Sequence, residues 1–142
     1  MNYSNWRVLL VDDNTGNLKM LNDLMMFYNL QVTTASSGQE ALTAVQHMPQ
    51  PFRFILSDIS MHHMDGYELC NRLRALPELN NTPIIATTAL AMAGDEQKAL
   101  ANGFDGYLSK PLPPPKELME RIILIISKFM KDKHAAQNQS DR

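Results

Sequence analysis

The 142 residues contain a single cysteine, Cys70. That excludes an intramolecular disulfide framework and a multi-cysteine zinc site. A charge excess of either sign is also missing: 13 Lys+Arg face 15 Asp+Glu, a formal net charge of −2. The basic excess of a broad nucleic-acid footprint is therefore absent. No unbroken apolar stretch is longer than Ile122–Ile126, far short of the ~20 residues that span a bilayer. The N-terminal apolar run Val8–Val11 stops at two aspartates, which argues against a signal peptide. What is present is a 44% hydrophobic composition, sufficient for a core, in a chain close to the ~150 residues of one domain. These properties predict a cytoplasmic, single-domain protein with no membrane insertion and no direct nucleic-acid partner.

Short apolar runs alternate with longer segments of helical spacing. The short runs are Arg7–Val11, Leu30–Thr34, Phe52–Leu56, Pro83–Thr87 and Phe104–Leu108. They read as buried strands, most of them rich in β-branched residues. Leu18, Leu21, Met25 and Tyr28 share one face of a first helix, capped by Asn14 or Thr15. A second helix begins after Ser36-Ser37-Gly38. A third follows Asp65-Gly66 through Leu69, Leu73 and Leu76 to a stop at Pro77. A fourth runs from Gly94 to Asn102 with Gly103 as its C-terminal cap, and a fifth follows the prolines at 113–115. Met20, Met25 and Met26 read as fillers of core gaps, and Cys70 as a small buried group. Five strands alternating with five helices predict an α/β doubly wound sandwich, (βα)5, around a five-stranded parallel sheet. The domain is expected over residues 1–130, with 131–142 a polar, disordered tail.

In such sheets ligands bind at the carboxyl ends of the strands. There the sequence places Asp12-Asp13, Ser57-Asp58, Thr87-Thr88 and Ser109-Lys110. Clustered carboxylates raise one another's pKa and call for a counter-cation. An all-oxygen pocket suits Mg²⁺, and Lys110 is a point charge for an arriving anion. Phosphoryl transfer needs little more than this, and aspartate is a competent nucleophile for it. Thr87 and Thr88 are ambiguous in register, and the spacing to Lys110 and the Ala89 that follows favour Thr88 as the residue at this edge.

Val11-Asp12-Asp13-Asn14, Leu56-Ser57-Asp58-Ile59-Ser60-Met61, Met64-Asp65-Gly66-Tyr67, Ala86-Thr87-Thr88-Ala89 and Tyr107-Leu108-Ser109-Lys110-Pro111 occur in that order. With these motifs, over about residues 6–130, the chain resembles the receiver domains of two-component response regulators, the CheY-like superfamily. The resemblance implies a flavodoxin-like fold with strand order 2-1-3-4-5 and a role in phosphorelay signalling. Asp58 is then the phospho-acceptor, served by a sensor histidine kinase or a histidine phosphotransfer protein. Mg²⁺ is held by Asp12, Asp13, Asp58 and the Ser60 carbonyl, Asp12 acting largely through water. Thr88 and Lys110 meet the phosphoryl oxygens, Tyr107 is an aromatic switch, and Lys110-Pro111 is cis. Output passes to a downstream protein partner through the fourth helix, fifth strand and fifth helix. The resemblance leaves open a phosphorylation-dependent homodimer.

Two departures stand out. His62, followed by His63, replaces the family's usual proline after Met61, so the loop loses a fixed φ. Both histidines read as solvated loop residues. Leu90, two residues past Thr88, is expected to shield the acyl phosphate from water. Rival readings are a receiver cut from a hybrid histidine kinase, a Mg²⁺-dependent phosphohydrolase forming an aspartyl phosphate, an FMN carrier, and a scaffold that takes no phosphate. The phosphohydrolase lacks its second acid in Asp58-Ile59-Ser60. The FMN carrier lacks a Ser/Thr/Gly-rich loop at Asp12-Asp13-Asn14.

Overall fold

A computed structural model describes residues 3–48, 51–89 and 93–140. Five strands, β1 (Arg7–Val11), β2 (Gln31–Ala35), β3 (Phe54–Asp58), β4 (Ile84–Thr88) and β5 (Gly106–Ser109), alternate with five helices. The helices are α1 (Thr15–Phe27), α2 (Gly38–His47), α3 (Gly66–Arg74), α4 (Asp95–Ala101) and α5 (Pro115–Ser140). All strand pairs are parallel, in the order β2-β1-β3-β4-β5. This is the topology that the resemblance implies.

Period-two alternation divides the core between the two faces of the sheet. Leu9, Val11, Ile55, Ile84 and Ala86 pack with Ala41, Val45, Leu69, Leu73 and Ala99 on one face. Val8, Leu10, Phe54, Leu56 and Ile85 pack with Leu18, Leu21, Met25, Leu118, Ile122 and Ile126 on the other. β1, β3 and β4 are thus buried on both faces. β2 is an edge strand with Gln31 and Thr34 exposed, which corrects its reading as a buried strand. Helix starts are fixed locally by the side chains of Asn14, Ser37 and Asp65, each accepting a first-turn backbone N–H.

Several boundaries move. β3 and β5 start two residues later than the apolar runs, because Phe52 and Phe104 are buried just ahead of their ladders. α3 ends at Arg74, leaving Leu76 ahead of a single 3-10 turn, Pro77–Leu79. Leu76 precedes Pro77 and takes extended backbone, which ends the helix, and the Arg74 guanidinium then ties this end to its neighbours. It donates to the carbonyls of Gly103, Leu79 and Thr82 and pairs with Asp105, whose carboxylate also accepts the Ile84 N–H. Met20 and Met26 are exposed; only Met25 of that trio is core. They sit about 200° and 100° round the helix from Leu18 and Met25, off the buried stripe.

The stretch from residue 131, expected as a disordered tail, continues α5 as helix through Ser140. It holds no glycine or proline to break the helix and includes Ala135 and Ala136. Lys133 also stacks over the buried Phe129 ring at 5.5 Å. Leu90 lies outside the described residues.

Gly66 marks a close approach of two backbones, between the start of α3 and the end of β3. Its N–H donates to the Ile59 carbonyl at 2.8 Å. A Cβ at this position would stand 2.5 Å from both the Asp58 carbonyl oxygen and the Ile59 Cα. Gly66→Ala should therefore push α3 off the end of β3 and cost about 1–3 kcal/mol. Urea denaturation checks this: a midpoint equal to wild type would contradict the contact.

Candidate functional site

β1, β3 and β5 deliver their terminal side chains to one edge of the sheet. The Asn14 N–H donates to Asp12 Oδ1 at 2.9 Å, turning that carboxylate inward at 1% residue exposure. Asp13 faces the mouth of the pocket, with 23% of its side chain exposed. Asp58 is the last residue of β3 and is buried. Lys110 follows β5 as a continuation of the strand, its N–H donating to the Thr88 carbonyl at 2.8 Å. The Lys110-Pro111 bond is cis.

Oxygens of Asp12, Asp13 and Asp58 lie within 4.8 Å of one another. The Lys110 ammonium stands 3.0 Å from Asp12 Oδ2 and 3.6 Å from Asp58 Oδ2. One cation thus serves two buried carboxylates, while a third carboxylate waits at the rim. Burial pushes the Asp58 carboxyl above its ordinary range; Lys110 opposes the rise, and Asp12 adds to it. The Ser60 N–H donates to Asp58 Oδ1 at 3.2 Å. Hard oxygen donors at this spacing, with excess negative charge, fit a small divalent cation such as Mg²⁺.

Thr87 and Thr88 are both buried at the end of β4, Thr87 in register with Asp58 and Thr88 with Ser109. Tyr107 packs against the core face that carries α3 and α4. Its hydroxyl is buried and has no hydrogen-bond partner among the described residues. Burial raises the Tyr107 pKa, and Asp95, Tyr67 and Glu96 raise it further. Cys70 is buried, with its thiol pushed up to about 11 by desolvation, as suits an inert core group.

One contact was not foreseen from sequence. The His62 N–H donates to Asp13 Oδ2 at 2.9 Å, a bond that a proline at this position could not make. The imidazole itself is 90% exposed, and His63 adopts φ 66°. The missing proline was the available signal, but by itself it says only that an N–H exists.

A model of the response regulator receiver domain matches residues 8–123. This chain belongs to the response regulator receiver family. The receiver is 42% identical over 105 residues to the histidine-protein kinase BarA of Escherichia coli, covering 74% of the chain but only 11% of that protein. It is 37% identical over 110 residues to the response regulator DivK of Brucella ovis, covering 77% of the chain and 87% of DivK. Its structure resembles the chemotaxis response regulator CheY4 of Vibrio cholerae, with a TM-score of 0.76 at 30% identity over 84% of this chain and 98% of CheY4. A CheY-like receiver from Methanospirillum hungatei gives a TM-score of 0.77 at 28% identity over 89% and 98% of the two chains. The receiver is thus a phospho-accepting module of two-component signalling. Among its described residues, no helix is long and apolar enough to cross a membrane.

The raised Asp58 pKa carries a stability consequence. The folded receiver holds the Asp58 proton more tightly than the unfolded chain does. The stabilisation from the neutral carboxyl is therefore complete at acid pH and is lost as pH rises through the folded-state value. In chelator at neutral pH, Asp58→Asn should raise the melting temperature, with the gain shrinking as pH falls toward the ordinary carboxylate range. Scanning calorimetry checks it; a neutral-pH melting temperature no higher than wild type would contradict the burial cost.

Proposed function

We propose that Asp58 is the phospho-acceptor of this receiver and that a sensor histidine kinase or histidine phosphotransfer protein supplies the phosphoryl group. The observation that carries this reading is the Lys110 ammonium shared between Asp12 and Asp58 beside a third carboxylate. Asp12, Asp13, Asp58 and the Ser60 carbonyl would hold Mg²⁺, which when bound neutralises phosphoryl oxygens. An Asp58 oxygen attacks phosphorus, the phosphorus–nitrogen bond of the phosphohistidine breaks, and the imidazole leaves with its electron pair and takes a proton. Asp58 thereby exchanges a bare carboxylate for an acyl phosphate. Lys110 then pairs with a phosphoryl oxygen, and the Thr88 hydroxyl takes another.

Tyr107 couples this step to a surface. An unpartnered buried hydroxyl costs about 1–3 kcal/mol, so the inward ring is poised against an outward one. Movement of Thr88 would shift the balance between them. The face formed by α4, β5 and α5 then alternates between two populations and is read by a downstream protein. The donor has a seat of its own. An apolar groove of about 740 Å³ runs between α1 and the loop after β5, past Met20, Leu24, Phe27, Leu112 and Pro113 to Lys110. A helix lying there would bring its phosphohistidine to Asp58. We assign the receiver to the cytoplasm, acting as a switch on its own phosphorylation. The BarA match favours one second reading, a receiver module of a hybrid kinase.

Intact mass tests the assignment. With Mg²⁺ and a small acyl phosphate or a phosphohistidine protein, the chain should gain about 80 Da. The gain should be lost on hydroxylamine treatment and absent in chelator and in Asp58→Asn. A gain that survives in Asp58→Asn, or no gain from either donor, would contradict it.

A further inference from the structure

At the opposite edge of the sheet from the acid pocket, residues just ahead of β1 and β3 form a second groove with the middle of α5, residues 123–134. It encloses about 830 Å³, and its floor includes Trp6, Leu124 and Met130. Leu124 and Met130 are 69% and 51% exposed, so this apolar floor faces solvent. The charged rim is of one sign. Arg53, Lys128 and Lys131 border the groove, His134 extends the same helix stripe, and no aspartate or glutamate lines it among the described residues. This contrasts with the chain as a whole, whose formal net charge is −2. Glu120 lies one turn before Leu124 and outside the lining. The Arg53 guanidinium stacks 4.8 Å from the centre of the Trp6 ring.

We infer that this groove is a docking site for an acidic amphipathic helix of a partner protein, with an apolar ridge on the Trp6–Leu124–Met130 floor and flanking carboxylates on Arg53, Lys128 and Lys131. Charge complementarity fixes the sign of the partner. The trough runs along α5, which suits the ridge of a second helix. Its concavity suits that ridge better than the flat face of a lipid surface. The site involves none of the phosphoryl-transfer residues, so it gives the receiver a contact surface separate from the acid pocket.

Trp6 is the sole tryptophan and reports on the groove directly. Two synthetic helical peptides serve as probes, sharing one leucine ridge but flanked by glutamate in one and lysine in the other. The acidic peptide should shift Trp6 emission saturably, and the basic one should not. The exposed Lys128→Glu/Lys131→Glu double variant should weaken the acidic peptide about tenfold while leaving the mass gain at Asp58 unchanged. Three results would overturn the inference. One is equal binding, or none, of the two peptides. Another is a Trp6 shift with phosphatidylserine vesicles but not with the acidic peptide. The third is self-association of the chain abolished by Leu124→Glu, which would make a second copy the occupant.

Discussion

One lysine between two buried carboxylates is the constraint around which the receiver is arranged. Asp12 and Asp58 end adjacent parallel strands, and Lys110 reaches both from beyond β5. Strand order alone does not bring these groups together. The Asn14 N–H turns Asp12 inward, the Ser60 N–H holds one Asp58 oxygen, and the Thr88 carbonyl anchors the Lys110 backbone. The pocket is left one positive charge short for the buried pair, with Asp13 adding to the deficit. Such an imbalance is expensive inside a protein, and a divalent cation and a transferred phosphoryl group change it in opposite directions. Burial raises the Asp58 carboxyl and Asp12 adds to the rise, while the charge imbalance makes the site responsive.

Much of this was legible in the residues. Asp-Asp-Asn, Ser-Asp and Ser-Lys-Pro each end a short apolar run, and parallel topology obliges such ends to share an edge. The two-faced core followed from five apolar strands alternating with five helices. What could not be read depended on three-dimensional context. The polar composition after residue 130 looked like a tail, yet a helix already nucleated by buried Ile122, Ile126 and Phe129 propagates through it without a breaker. Met20 and Met26 looked like Met25 until helical phase separated them. The His62 N–H had no visible partner because Asp13 is 49 residues away in the chain.

Two surfaces of different chemistry lie along α5. Near its start, the proline-rich loop and α1 frame an apolar approach to Lys110, suited to a donor that must come within bonding distance of Asp58. Along its middle, the helix shares a basic-rimmed groove with Trp6 and Arg53. One helix thus contributes to two surfaces of different chemistry, at opposite edges of one rigid sheet. Arg74 and Asp105 tie α3, the turn before β4 and the loop before β5 together at the lower edge.

The charge deficit in the acid pocket is most directly tested by titrating Mg²⁺ into the isotope-labelled receiver and following its amide resonances. The account predicts one ion per chain. Shifts should concentrate at Asp12, Asp13, Asp58, Ser60 and Lys110, and should be largely lost in Asp13→Asn. No response at millimolar Mg²⁺, or shifts scattered over exposed acids such as Glu68 and Glu96 with Asp58 unmoved, would contradict it.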